Sequence, residues 1–388
     1  MGRPVRWREV RLGDVAEIFD GPHATPHKVE DGPIFLGISN LADGRLDLAD
    51  AEHVGEDDFI KWTRRVTPTA GDVVFSYETR LGQAAAIPAG LRCCLGRRLG
   101  LLRARPGEIL PRFLLYTYLG PAFQAEIRAR AIRGSTVDRI PLLQMPEFPL
   151  RLPPLAEQRR IAQALAAIDE KIALHQQMNE TLAATIQALF ERWLDAPRRP
   201  GWRRGTIGEL ADAPRRGVMP AEVDPNTPYI GLEHVPRGNL ALSSWGRAAE
   251  VTSGKFKFHR GELLFGRLRA YFKKVGLAPV DGVCSTDILV VVPRTPEYAG
   301  MVLGHLTSDA MIRHVDALST GTKMPRASWT DVARFPVEVP QPAVAAALTE
   351  QATPILGRIV ANVHEARALA ELRDTLLPRL LGEQALEG

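Results

Sequence analysis

Basic residues gathered in turn-like segments are the part of this sequence best equipped to act on another molecule. In the first half they fall in three places: His23-Ala24-Thr25-Pro26-His27-Lys28, Ser76-Tyr77-Glu78-Thr79-Arg80, and Gly134-Ser135-Thr136-Val137-Asp138-Arg139. The second half offers Arg215-Arg216, Lys255-Phe256-Lys257, Arg267-Leu268-Arg269, Tyr271-Phe272-Lys273-Lys274, and Gly321-Thr322-Lys323 with Arg326. Such side chains divide the work of reading a nucleic acid. Lys and Arg neutralise phosphates and set register, while a smaller set that includes Arg, Ser and Thr reaches base edges in the major groove. Only eight of the 49 basic residues are Lys, leaving 41 Arg. The planar Arg fork suits bidentate contact with phosphate or guanine, although a high-GC genome produces the same bias. Lys255, Lys257, Lys273 and Lys274 lie close together, so the second half is expected to supply more of any salt-dependent affinity.

No catalytic pattern accompanies these residues. Gly254-Lys255 is followed by Phe256 and opens no phosphate loop, and neither HExxH, GxSxG nor a strand-to-helix GxGxxG is present. No intrinsic catalysis and no cofactor are therefore expected in this chain. His23 and His27 flank Pro26 and make at most half a metal site, so a loop or phosphate contact is the better reading and no metal is expected. Cys93, Cys94 and Cys284 are odd in number and lack CxxC spacing, which supports neither a disulfide framework nor a zinc site. A reducing cytoplasm is the expected location, because the start lacks an apolar leader and no run approaches a membrane span. The net charge of +4 is too mild to establish a polyanion partner.

The elements that must hold these turns occur twice. Trp7-Arg8 and Leu12-Gly13-Asp14 return as Trp202-Arg203 and Ile207-Gly208-Glu209, an offset of 195. Gly71-Asp72-Val73-Val74-Phe75 returns as Gly261-Glu262-Leu263-Leu264-Phe265, and Cys94 as Cys284, both offset by 190. Gly134-Ser135-Thr136 matches Gly321-Thr322-Lys323, and Phe148-Pro149 matches Phe335-Pro336, offset 187. The matches keep their order while the offset shrinks by small deletions, as a duplicated plan requires. In each copy turn signals precede short apolar runs, as in 73–75, 263–265 and 287–292, which predict buried strands. The stretches 112–130 and 296–317 have helical spacing, so each copy is a mixed α+β unit.

A second kind of segment follows each copy. From Pro153-Pro154 onward, Ile161, Leu165, Ile168, Ile172, His175, Asn179, Leu182, Ile186, Leu189 and Trp193 alternate by four and three. That is the 3.5-residue period of a coiled-coil seam. The C-terminal copy places Leu348, Ala352, Ile355, Ile359, Asn362, Ala366, Leu369, Arg373, Leu376 and Leu380 the same way. Polar His175, Asn179 and Asn362 read as register-fixing seam positions rather than ligands. Pro354 should start a fresh helix or kink this one. Each amphipathic helix finds its economical partner in the other, packed antiparallel, and 40 residues make a rod about 60 Å long.

These segments resemble the specificity subunit of type I restriction-modification systems. The resemblance is carried by Pro153-Pro154-Leu155-Ala156-Glu157-Gln158-Arg159-Arg160-Ile161, Ile168-Asp169-Glu170-Lys171-Ile172, Met178-Asn179-Glu180-Thr181-Leu182, Ala188-Leu189-Phe190 with Trp193, Pro200-Gly201-Trp202, and 372–381. It implies an α+β protein of two tandem mixed α/β target-recognition domains, 1–152 and 197–342, and two conserved helices, 153–196 and 343–388, packed as an antiparallel coiled coil. It also implies double-stranded DNA as ligand, one half-site of a bipartite asymmetric target per domain, and docking of two modification (methyltransferase) subunits and restriction/motor subunits. S-adenosylmethionine, ATP and Mg would then sit on those partners. Pro340-Gln341-Pro342-Ala343-Val344 lacks the Glu-Gln-Arg-Arg of 157–160, which puts in doubt an identical partner contact at the second helix. Two alternatives stay open: the specificity subunit of a related defence or modification complex, and a coiled-coil scaffold whose globular parts bind proteins.

Overall fold

The apolar runs marked by turn signals become the inner strands of two matching sheets. The computed structural model describes residues 6–22, 26–42, 44–134, 137–194, 201–319 and 325–382. Packing divides the chain into two units, one built from 1–168 with 371–388 and the other from 169–370. Among the described residues no helix is long and apolar enough to cross a membrane.

In the first unit a four-stranded antiparallel sheet runs in the order Ala16–Asp20, Leu99–Ala104, Val73–Ser76, Ala84–Ala86. Its inner strands are buried on both faces, which is why they read as continuous apolar runs rather than alternating ones. A second sheet orders Glu52–Val54, Lys28–Leu36 and Cys93–Leu95, the last pair parallel with Phe35 opposite Cys94. Arg8–Arg11 pairs with Pro149–Leu152 and closes the first unit's globular part on itself.

The second unit repeats the plan. Its four-stranded sheet runs Ala211–Asp212, Ile288–Pro293, Leu263–Gly266, Val275–Leu277, and Arg203–Thr206 pairs with Pro336–Val339. In its five-stranded sheet Pro228–Ile230 lies parallel to Gly282–Cys284, with Ile230 opposite Cys284. The parallel pair recurs in both units, but the expected match of Cys94 with Cys284 does not hold: Gly96 N donates to Leu36 O as Ser285 N donates to Ile230 O, so Cys284 stands where the first unit has Leu95, and Cys94 where the second has Val283.

Helical spacing over 112–130 resolves into two helices, Pro111–Leu119 and Pro121–Arg130. Extended Gly120 (ψ 145°) and Pro121, which has no N–H to donate, make the break. Its counterpart splits into Ala299–Thr307 and Asp309–Leu318, where the Ser308 side chain caps the second helix by accepting from Met311 N.

Two long helices complete the architecture, a central one over Leu155–Leu194 and a distal one over Pro342–Leu380. The distal helix runs unbroken through Pro354, so the expected restart does not occur. One lost N–H bond is offset by Ala352, Ile355 and Ile359, which are wholly or partly buried on either side of the proline. Nor are the helices only a rod. Ile161 and Leu165 belong to the first unit's core with Phe113, Phe148 and Leu152, and Leu376, Leu377 and Leu380 pack on the same cluster. In the second unit Ile186, Leu348 and Ile359 join a core with Leu303, Leu306 and Val337.

Within the second unit the helical segments run in opposite directions, because contacts climb one helix as they descend the other. Asn362 Nδ2 donates to Asn179 Oδ1 (2.8 Å), and Asn179 Nδ2 reaches Ile359 O (3.4 Å). With Asn362 Oδ1 3.1 Å away and able only to accept, His175 Nδ1 is the donor of that pair. All three side chains are buried, forming the polar layer expected at the seam. Ile172 is buried, while Ile168, Leu182, Ile355 and Leu369 are half-buried along the same stripe.

Past Ile186 the expected stripe fails. Leu189 is only half-buried, and Phe190, 1% exposed, enters the core in its place. A straight helix drifts by about 20° per heptad from a 3.5-residue repeat. Phe190 also meets a globular surface rather than a helix: its ring lies edge-on to His305 at 4.8 Å, against Gly304, where an added Cβ would come within 2.1 Å of the ring. Phe190→Ala is expected to cost about 3–5 kcal/mol and Leu189→Ala well under half of that, by denaturant melts of the purified chain. Equal losses would restore Leu189 to the seam.

Candidate functional site

In each unit an inner strand runs out into a turn whose backbone is held from two sides. In the first, Val73–Ser76 continues into Tyr77, whose N–H donates to Arg98 O (3.1 Å) and whose carbonyl accepts from Ile140 N (2.8 Å). Glu78 then bridges Arg139, which brings two of the predicted turns together. In the second, Leu263–Gly266 continues into Arg267, whose N–H donates to Asp287 O and whose carbonyl accepts from Ala327 N, both at 2.9 Å. Leu268 bridges Arg326, and Arg269 N donates to Pro325 O (2.9 Å).

Both turns pivot on a non-glycine residue in the left-handed region, Thr79 at φ 68° and Arg269 at φ 52°. Such residues are uncommon and cost about 1–3 kcal/mol unless their surroundings fix them. Here the flanking hydrogen bonds do so. Tyr77 and Arg267, Glu78 and Leu268, Arg139 and Arg326 are therefore equivalent positions of one framework, as are Arg98 and Asp287.

The side chains on that framework differ. Arg98 Nε pairs with Glu78 at 2.9 Å in the first unit, whereas in the second the carboxylate is Asp287 and grips Arg326 at 2.8 and 3.2 Å. Sequence reading missed Arg97, Arg98 and Asp287. Their signal lay in the repeat, since these residues precede equivalent strands, Leu99–Ala104 and Ile288–Pro293. Arg80, Arg97 and Arg139 are exposed and have no carboxylate partner among the described residues. In the second unit Arg215, Phe256, Arg267, Thr286, Asp287 and Arg326 line a cleft of about 200 Å³.

The other sequence candidates sort by burial and partner. Tyr77 is 5% exposed, so it supports the turn from beneath instead of reaching outward, and burial with the Asp20 charge raises its phenol pKa. Lys255 is also 5% exposed: its Nζ donates to Ser253 O and Oγ at 2.7 and 2.8 Å, and desolvation lowers its pKa. Lys274 is half-buried, its Nζ on Leu232 O and its pKa lowered by burial. Arg216 is held bidentately by Glu262 at 2.8 Å. These four are built into the fold.

Lys28 and Lys273 are ion-paired near the surface with Glu52 and Asp309, bonds that solvent and salt screen readily. Arg215, Lys257 and Arg269 are exposed, as is His27, whose backbone N–H donates to Asp58 Oδ2. His23, Ser135, Thr136, Thr322 and Lys323 lie outside the described residues. Among the described residues no three His, Cys, Asp or Glu side chains gather to hold a metal ion. Burial pushes the Cys93, Cys94 and Cys284 thiols up to about 12, which leaves them un-ionised and unreactive at neutral pH.

Comparison with known proteins converges on one family. Residues 4–184 match the type I restriction modification DNA specificity domain. The chain is 24% identical over 222 residues to the type I restriction enzyme MjaX specificity subunit of Methanocaldococcus jannaschii, 54% of this chain and 51% of that one. It is 22% identical over 246 residues to the EcoDI specificity subunit of Escherichia coli, covering 54% and 55%. The matched stretch thus spans about half the length of these relatives. In fold the chain resembles the crystal structure of a type I restriction-modification system S subunit from M. genitalium, with TM-score 0.54, 14% identity, and 98% and 97% of the two chains covered.

The burial pattern separates two neighbouring lysines. Lys255→Ala should destabilise the chain by about 1–3 kcal/mol, through lost packing and hydrogen bonds. Lys257→Ala, two residues along the same strand but exposed, should stay within about 0.5 kcal/mol of the parent. Thermal melts of both variants check this, and a destabilised Lys257→Ala with an unaffected Lys255→Ala would reverse the assignment.

Proposed function

Because residues 4–184 match the type I restriction modification DNA specificity domain, we propose that this chain is the sequence-reading subunit of a type I restriction-modification complex. Its ligand is double-stranded DNA, and each recognition domain, 1–152 and 197–342, reads one half of a split asymmetric target. The observation that carries this reading is one turn framework built twice with unlike side chains: Tyr77, Glu78, Arg98 and Arg139 in one copy, Arg267, Leu268, Asp287 and Arg326 in the other. Equal frameworks suit two readers of similar duplex geometry. Unequal side chains suit two different half-sites.

Within this reading the contacts divide. Exposed Arg80, Arg139, Arg215, Lys257 and Arg269, with Lys28 and Lys273 after release from their surface partners, meet phosphates or base edges. The helices over 153–196 and 343–388 form an antiparallel coiled coil that docks two modification subunits, together with restriction and motor subunits. Methylation and cleavage belong to those chains, which bring S-adenosylmethionine, ATP and Mg. The chain itself contributes the address and works in the cytoplasm, where that DNA is.

Replacing residues 1–150 with those of a relative should change one half of the recognised sequence and leave the other intact, as read by methylation mapping of the assembled complex. A change in both halves, or in neither, overturns the two-reader assignment. Duplex binding by the full chain should also weaken steeply between about 50 and 200 mM salt. A flat response would favour a protein-binding scaffold.

A further inference from the structure

The cleft beside the second unit's turn contains a donor with nothing to donate to. Arg267 is partly buried, and its Nε–H is sealed from solvent with no hydrogen-bond acceptor among the described residues. Leaving a charged donor desolvated and unpaired is unfavourable, so the site favours whatever molecule brings an acceptor. The turn that presents Arg267 is pinned by Asp287 O and Ala327 N, so the backbone that carries this side chain beside the cleft is fixed.

Charge narrows the acceptor. Arg215, Arg267 and Arg326 line the cleft, and one carboxylate, Asp287, stands among them. Asp287 holds Arg326 through two hydrogen bonds, which takes most of that cation's charge out of play. A phosphate entering here would meet the carboxylate at close range, while Lys257, outside the cleft, stands exposed with no carboxylate partner among the described residues. A neutral base edge meets no such penalty. Two parallel acceptors facing a planar Arg fork are the pattern of guanine O6 and N7 in the major groove.

The first unit lacks this feature. Its equivalent position is Tyr77, buried and with no cation, and its equivalent of Asp287 is Arg98, drawn to Glu78. A contact made by Arg267 therefore has no counterpart in the other half-site.

Resting on the reading of this chain as a DNA specificity subunit, we propose that Arg267 is a specificity-determining residue that reads a guanine in the half-site of the second unit, with Asp287 and Arg326 forming the wall that orients it. The test is selection of bound duplexes from a randomised library by the full chain, for the parent, Arg267→Lys and Arg267→Gln, each first shown to melt like the parent. Arg267→Lys keeps the charge and loses the fork. It should reduce the preference for guanine at one position by about 5- to 150-fold, with the salt slope and the other half-site unchanged. Arg267→Gln should move that position toward adenine. Because the two variants alter the side chain differently, one that folds suffices.

An unchanged motif with uniformly weaker binding and a salt slope smaller by about one would make Arg267 a phosphate contact and overturn the proposal. An unchanged motif with unchanged affinity would overturn it as well. Failure of the parent chain to select any sequence would instead overturn the specificity-subunit reading beneath it, so the two failures are distinct.

Discussion

Neither unit has a complete apolar core without residues from both long helices, and the rest of the structure depends on that burial. The first unit needs Ile161 and Leu165 from the central helix and Leu376, Leu377 and Leu380 from the distal one. The second needs Ile186 and Phe190, with Leu348, Ile359 and Val363. Each buried side chain of this size contributes about 1.5–3 kcal/mol, comparable in sum with the whole stability of a domain. A helix shift of one residue would carry these groups off their sites. The buried His175, Asn362 and Asn179 layer makes such a shift costlier, because amide and imidazole groups that bond one another, Ile359 O and Glu365 would lose those partners in a buried interface.

On the proposed function, a fixed scaffold is what would let a small turn act as a reader. The strands before Tyr77 and Arg267 are fully buried, and the turns after them are tied by backbone bonds on both sides. Backbone ties are indifferent to side-chain identity. The framework can therefore keep its geometry while Glu78 gives way to Leu268 and Arg98 to Asp287, which is how one plan can carry two chemistries. The opposite charges at the last pair matter most: an arginine paired with Glu78 in one unit becomes a carboxylate that restrains an arginine in the other.

Much of this was legible in the sequence, and the failures have physical causes. The ordered half-chain matches located equivalent strands, but the match of Cys94 with Cys284 was one residue off, because adjacent positions of this strand are all buried and Cys284 takes the place of Leu95. The apolar stripe is buried or half-buried from Ile161 to Ile186, and burial passes from Leu189 to Phe190 where the helix meets Gly304. Arg and Lys were harder to place. Lys255 and Lys257 flank one residue, and only the sheet decides which of them faces a Ser253 carbonyl and which faces water. Tyr77 extends a buried run, a signal that its polar tip obscures. Arg98 was invisible as a partner of Glu78, because residues 20 apart in sequence meet only once the strands pair.

One framework, built twice, is proposed to read two different sequences. Mapping methylated adenines across the genome of a host carrying this chain and its modification partner tests it most directly. The account predicts a single motif of two unlike halves separated by a spacer of constant length. A motif with identical halves, or one without a spacer, would contradict it.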